Sequence, residues 1–453
     1  MIILKKFGEY IEESYQHKLS SDVLHHARRA LLDWHAALIC GANSATAAML
    51  ISSYQDDIGH GSCSVVGSNQ KFSARSSAFI NGSISHIAEF DDIFRDGAYH
   101  PGCPTISGSF ALAELNDLTV EKLLEAIVVG YEISTRIAKV IQPSHYRFFH
   151  TTGTVGVFGS AAACSSVLGL SASRSCDALA TAGSFASGLQ QAFRSNSMTK
   201  PMHAGHAAEV GVNAALAAKA GMTGTADLLE GSVGFGAAMS INPRWDQVFH
   251  GLGSEFNISQ MTFKNHGCCG HTFPAIDGVA AILDKEKIEL NSIQKISIGT
   301  YRAACDVCSY RHPKTPFEAK FSLSYTVAAR IILGRVREKS FLSDAISRSD
   351  IHELENKIDT YVDEGSTARF PDNREAQIRI ELNDGTILTH HQLTRHGDPD
   401  DPLTDQELED KFIELVEPRL GKTTADHLVE AIMNSKNIMV KDLSKIWAVN
   451  QSI

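Results

Sequence analysis

Gly159–Leu170 reads GSAAACSSVLGL, and Cys176–Leu189 (CDALATAGSFASGL) and Ala207–Met222 (AAEVGVNAALAAKAGM) share its texture. Small residues fall on every side of the 3.6-residue period, so these segments keep no polar face for water. They are predicted to be central, buried helices that pack at close range. Earlier in the chain, Leu24, Ala27, Leu31 and Leu38 mark one face of a helix capped by Ser21, and Leu124, Ile127 and Ile133 mark another over Val120–Ile141. The first ~260 residues thus read almost wholly as helix. After Ile258 the pattern changes. Gln294–Thr300 (QKISIGT) alternates as a half-buried strand, and Ala376–Leu393 carries two β-patterned runs around Asn383-Asp384-Gly385, a hairpin signal. Helical stretches such as Phe321–Gly334 lie between them. Past a polar loop over His396–Pro402, Thr404 and Glu407 form a capping box that opens a terminal helical region running to Ile453. The predicted fold is mainly α: a large helical domain over 1–262 completed by 403–453, with an inserted α+β domain over 263–402.

A chain of 453 residues is too long for one core and fits two domains. Its net charge of −11 argues against nucleic acid as a partner, because phosphate binding needs a concentrated positive surface. A small anionic substrate stays compatible, since a local cluster of Lys and His reverses the field inside a pocket. No apolar run is long enough to span a membrane, and Met1–Tyr10 (MIILKKFGEY) does not read as a signal peptide. Nine cysteines, an odd number, fit reduced thiols in a cytoplasmic protein better than a disulfide framework.

Four polar clusters interrupt the apolar sequence. In the first, His86, Glu89, Asp91 and Asp92 precede His100; so many carboxylates repel unless solvated, protonated or faced by cations. Its competing reading is a solvated helix end. His150-Thr151-Thr152-Gly153 forms the second, where the N–H groups of a helix start suit a carboxylate, or where a threonine merely caps. The third holds Lys200 and His203, with Lys200 placed just before a buried helix; a solvated loop lysine is the alternative. The fourth contains Lys264, Cys268, Cys269 and His271. Cys268, Cys269 and His271 could join Cys305 and Cys308 around zinc, but adjacent cysteines rarely chelate one ion and a second CxxC is missing. Neither a GxGxxG after a strand nor a Walker motif is present, which argues against nucleotide cofactors.

In order and spacing, these clusters resemble the MmgE/PrpD family. The resemblance covers nearly the whole chain. It rests on Asn81–Pro101 (NGSISHIAEFDDIFRDGAYHP), Thr199–Ala208 (TKPMHAGHAA), Phe263–Gly278 (FKNHGCCGHTFPAIDG), Lys320–Val327 (KFSLSYTV) and Asp401–Phe412 (DPLTDQELEDKF). It implies a helical domain under a smaller α+β lid, a homodimer, and an active site between the domains that needs no metal or organic cofactor. It also implies catalytic roles for His100, His150, Lys200, Lys264 and Tyr325. The expected substrate contacts are Glu89, Asp91, Asp92, His203, Cys269 and His271. Three positions depart from the family pattern: Glu89 stands where an Asp is usual, Ile93 where the decarboxylases have Thr, and Cys269 where dehydratases and decarboxylases tend to have His. These departures argue against cis-aconitate decarboxylation and leave carboxylate binding and proton transfer in place.

The expected activity is therefore cofactor-independent removal of a proton next to a carboxylate of a di- or tricarboxylate. A 2-methylcitrate-dehydratase-like lyase is the leading form and an epimerase of an imino- or amino-dicarboxylate the alternative. A non-catalytic carboxylate-binding protein is the reading from another class.

Overall fold

The computed structural model describes residues 2–193 and 197–448, and divides the chain into two compact units. One comprises 1–262 with 404–453, and the other 263–403.

The first unit is a helical bundle. Its main helices are α1 (Ser21–Ala42), α2 (Ala74–Ile87), α3 (Gly102–Leu115), α4 (Val120–Ile141), α5 (Gly156–Val167), α6 (Ala172–Ser184) and α7 (Thr199–Lys219). Helix α7 packs on α2, α5 and α6, and α5 packs on α4, so the small-residue segments do occupy the centre. Close approach has a steric reason. A methyl group at Gly205 of α7 would overlap the Phe79 carbonyl and the Ser83 hydroxyl of α2, and one at Gly108 would overlap Ser160. Two short strands, β1 (Ile93–Phe94) and β2 (Met261–Thr262), pair antiparallel within this unit, with Ile93 opposite Thr262.

The second unit is built on a four-stranded sheet of β3 (Ile293–Thr300), β4 (Ile358–Val362), β5 (Ala376–Leu382) and β6 (Ile387–Gln392). Its spatial order is β4-β3-β5-β6, with only the β3–β4 pair parallel. Ile296, Ile298, Ile378 and Ile380 face one buried side, against which α8 (Phe273–Leu283) and α9 (Leu323–Leu333) are packed. The hairpin turns at Gly385, whose φ of 86° is open to glycine without strain. A short helix, α10 (Ser349–Glu355), leads into β4.

The last of these helices, α11 (Asp405–Leu420), begins with the capping box of Thr404 and Glu407 and packs on α1. Lys411 on α11 is fully buried, with its ammonium 2.6 Å from Asp33 of α1 and 3.0 Å from the Phe90 carbonyl. Among the described residues no single helix is long and apolar enough to cross a membrane. Only α1 with the helix Ala45–Ser52 passes as a pair, bent by 86°, and α1 is largely buried in the bundle.

Some local expectations are corrected. Ser20, not Ser21, caps α1, accepting from the Val23 N–H at 3.3 Å. Helix α6 stops at Ser184, leaving Phe185 and Leu189 exposed in irregular chain. Lys200 lies inside the first turn of α7, not before it. Residues 449–453, read as helix from the sequence, lie outside the described residues.

Removing one partner of a buried ion pair strands the other, at a cost of ~3–5 kcal/mol. Lys411→Met should therefore lower the free energy of urea unfolding by about that amount, and adding Asp33→Asn should restore most of it.

Candidate active site

Helix α2 ends at Ile87, and the chain then reverses through Glu89, which takes a left-handed φ of 60°. Such a conformation is strained for a side chain with a Cβ and persists only where its surroundings impose it. The turn delivers Asp91 and Asp92 into the buried interior. Two adjacent buried carboxylates cannot both stay charged without partners, and here their environments differ. Asp91 Oδ2 lies 2.7 Å from His86 Nδ1, 2.8 Å from His100 Nδ1 and 3.4 Å from the Cys103 thiol. Asp92 has no such cation. It accepts from the Tyr131 hydroxyl at 2.7 Å and from the Gly102 N–H at 3.0 Å. Burial, reinforced by the nearby Asp33 charge, raises its pKa to about 8. Asp91 is thus the member of the pair that faces imidazoles, and Asp92 carries its proton at neutral pH.

Around Asp91 the histidines form a cluster. The His86 ring lies 4.9 Å from that of His100 and 5.5 Å from that of His150, while His150 lies 5.3 Å from His203. His150 is buried, which pushes its pKa well below the usual imidazole value, as do the neighbouring His86 and Lys200 charges. His203 is lowered to about 4, first by burial and then by His86, His206 and Lys200. The Nδ1 atoms of His150 and His203 are 3.1 Å apart, so one ring donates and the other accepts. Lys200 pairs with Glu89 at the edge of this cluster, where both side chains keep some exposure. The threonines do not cap the helix start: Thr152 Oγ1 accepts from the His100 N–H at 3.3 Å, and Thr151 Oγ1 from Gln142 Nε2 at 3.1 Å.

The first unit therefore brings together seven expected residues: Glu89, Asp91, Asp92, His100, His150, Lys200 and His203. Sequence reasoning left His86 without a role, although it stands one helical turn before the acidic turn, where an i to i+5 contact with Asp91 was the available signal. Chemically, the set offers a carboxylate-held imidazole, a neutral imidazole pair and an ammonium, all beside a protonated carboxyl.

In the second unit the expected residues lie in different surroundings. Lys264 is buried and follows β2 by two residues. Cys269 donates its backbone N–H to Lys320 at 3.0 Å, and its thiol bonds that of the buried Cys308. His271 Nδ1 lies 2.8 Å from the Tyr301 hydroxyl, and burial lowers its pKa to about 3. Tyr325 sits in the hydrophobic core and donates to the Ser340 carbonyl at 2.6 Å. These bonds hold the His271 ring and the Tyr325 hydroxyl to partners within their own unit. His266, paired with Asp277 at 2.8 Å in a buried position, was not singled out. For the alternative zinc reading, Cys268 bonds the Thr272 hydroxyl at 3.1 Å, and His271 is held by Tyr301. No disulfide forms among the nine cysteines.

Residues 5–248 match the MmgE/PrpD N-terminal domain and residues 266–437 the MmgE/PrpD C-terminal domain. The chain belongs to the MmgE/PrpD family. It is 27% identical over 373 residues to the cis-aconitate decarboxylase of Homo sapiens, covering 80% of this chain and 76% of that protein. It is also 25% identical over 468 residues to a cis-aconitate decarboxylase-like protein of Aspergillus oryzae, covering 97% and 95%. A cis-aconitate decarboxylase of Aspergillus terreus is 24% identical over 395 residues, with 82% and 80% covered. Membership of the MmgE/PrpD family and the acid–base cluster agree at the level of carboxylate chemistry.

Asp92 provides a pH test. Its folded-state pKa of about 8 lies above the ordinary 3.8. The stability it contributes is complete below the lower value and is lost as pH rises through the higher one. Asp92→Asn, like the protonated acid, can accept from the Gly102 N–H through its oxygen and donate to the Tyr131 oxygen through its NH2, and it does not titrate. Urea unfolding should show the wild type losing up to ~1.4 kcal/mol per pH unit relative to this variant between about pH 4 and 8.

Proposed function

We propose that the protein is an acid–base enzyme that removes a proton next to a carboxylate of a di- or tricarboxylate, and that it acts as a lyase. The observation that carries this reading is the contact of His100 with Asp91, beside the His150–His203 pair and Lys200. A carboxylate at Nδ1 orients an imidazole and stabilises the imidazolium formed when the ring accepts a proton, which suits His100 to be the base. Proton removal drives charge onto the substrate carboxylate, where Lys200 can stabilise it once its pairing with Glu89 is exchanged for the substrate. Lys264 is the second proposed counterion. Its support is covalent: it stands two residues past β2, whose partner strand β1 directly follows Asp92.

An acid is also needed. His150 and His203 are neutral in the resting protein, but two or three substrate charges brought beside them raise their proton affinity. The substrate thereby creates the imidazolium that protonates a departing β-hydroxyl, and water leaves. Glu89 and Cys269 are proposed as further substrate contacts. The names of the relatives favour a second reading, decarboxylation, in which the C–CO₂ bond breaks and the same acid protonates carbon. Return of the proton to the opposite face would give an epimerase.

A homodimer is also proposed. Tyr146, Phe148, Phe185, Leu189, Met202 and Ile241 are exposed apolar side chains. Phe148 and Gln190 are joined by a 2.9 Å backbone bond, and His206 lies 3.3 Å from the Phe185 carbonyl, which makes part of this surface continuous. An exposed apolar surface of this kind marks an interaction face. Light scattering should give twice the chain mass, and Phe148→Glu with Leu189→Glu should give the single-chain mass.

The functional test is turnover of citrate, 2-methylcitrate and cis-aconitate in deuterated water. A new double bond without CO₂ supports the dehydratase, CO₂ supports the decarboxylase, and deuterium exchange without net conversion supports the epimerase. His100→Gln and Lys200→Met should each lower kcat/KM by ~100-fold or more with little change in Tm. Absence of turnover, exchange and thermal shift with every polycarboxylate would sink the proposal.

A further inference from the structure

In the α+β unit, three side chains that no part of the proposed reaction uses converge. His352 and Glu355 lie one turn apart on α10, and His312 reaches them from the loop after Cys308. Glu355 is fully buried. Its Oε1 accepts from the Ser324 hydroxyl at 2.7 Å and from the His312 backbone N–H at 3.0 Å. Its Oε2 faces both imidazoles, with His312 Nδ1 and His352 Nδ1 each 3.3 Å away. His312 itself holds a left-handed φ of 47°.

The protonation of His352 is constrained by its other nitrogen. Nε2 lies 2.8 Å from the Ile346 carbonyl, and a carbonyl only accepts, so Nε2 carries the hydrogen. Neutral His352 therefore turns the Nδ1 lone pair toward a carboxylate oxygen. That repulsion is resolved either by a second proton on the ring or by a shared cation. The spacing favours the cation. An imidazolium–carboxylate hydrogen bond draws in to ~2.7–2.9 Å. Tetrahedral ligands at ~2.0–2.1 Å from zinc are ~3.3–3.4 Å from one another, and both N···O distances here are 3.3 Å.

We propose that His312, His352 and Glu355 bind a divalent transition-metal ion, with zinc the best chemical match. Two imidazoles and a carboxylate are a zinc donor set, and the Ile346 carbonyl supplies the outer hydrogen bond that fixes the tautomer of a metal-binding histidine. His312 is 47% exposed, so a fourth position is left to water. Arg311, the nearest cation in sequence, bonds the Glu355 and Ile358 carbonyls at 2.9 and 3.1 Å and so braces the same loop. The bound ion ties the His312 loop to α10. It is distinct from the cysteine set weighed above and is independent of the proposed catalysis.

The test is calorimetric titration of the full chain with zinc after treatment with a chelator, and with cobalt(II) for its visible spectrum. The expected result is one equivalent bound with a rise in Tm and tetrahedral cobalt bands. His312→Gln and His352→Gln should each weaken binding by ~100-fold or more, while Cys305→Ser with Cys308→Ser should leave it unchanged. His312 is partly exposed, so its variant keeps the test valid if His352→Gln fails to fold. Unchanged binding in His312→Gln, or no binding together with a doubly protonated His352 ring by NMR near pH 7.5, would overturn the proposal.

Discussion

The contact between Lys411 and Asp33 is a constraint on which the histidine cluster depends. Both groups are essentially absent from solvent, so each must be compensated inside the protein. The same ammonium also holds the Phe90 carbonyl, within the turn that sets Glu89 and Asp91. Asp33 in turn adds to the field that keeps the proton on Asp92. One buried pair thus positions the acidic turn from behind and helps keep the proton on Asp92.

Close packing explains why the arrangement can be held so tightly. Helices α2 and α7 meet at Gly205, which lies against the Phe79 carbonyl and the small Ser83 hydroxyl. The C-terminal end of α2 carries His86, and the first turn of α7 carries Lys200 and His203. Two rigid rods in backbone contact fix the separation between these groups better than flexible loops would. The glycines and alanines of these helices therefore serve the geometry of the cluster as well as the bundle.

Periodic and local signals were the readable part of the fold. Helix α4 runs over Val120–Ile141, the capping box stands at Thr404 and Glu407, and the hairpin turns at Gly385, because each depends on residues a few positions apart. Two local readings failed for local reasons: Ser20 competes with Ser21 as a cap, and Phe185 and Leu189 continue a small-residue pattern after the helix has ended. The candidate site was legible as residue types in clusters. It was not legible as a set of protonation states. Asp91 and Asp92 are neighbours in sequence, and only burial, Asp33 and Tyr131 tell them apart. Lys411 lay inside a quoted motif, yet its role needs a partner 378 residues away. Tyr325 and His271 are found bonded to Ser340 and Tyr301, partners that spacing alone does not reveal.

The distance in sequence between Lys411 and its partners also bears on the order of events during synthesis. Asp33, the Phe90 turn and the three central helices all leave the ribosome well before α11 exists. Until Lys411 arrives, neither Asp33 nor the Phe90 carbonyl has this ammonium beside it. The buried contact that backs the acidic turn can therefore form only after translation has passed the α+β unit, which makes α11 its last component.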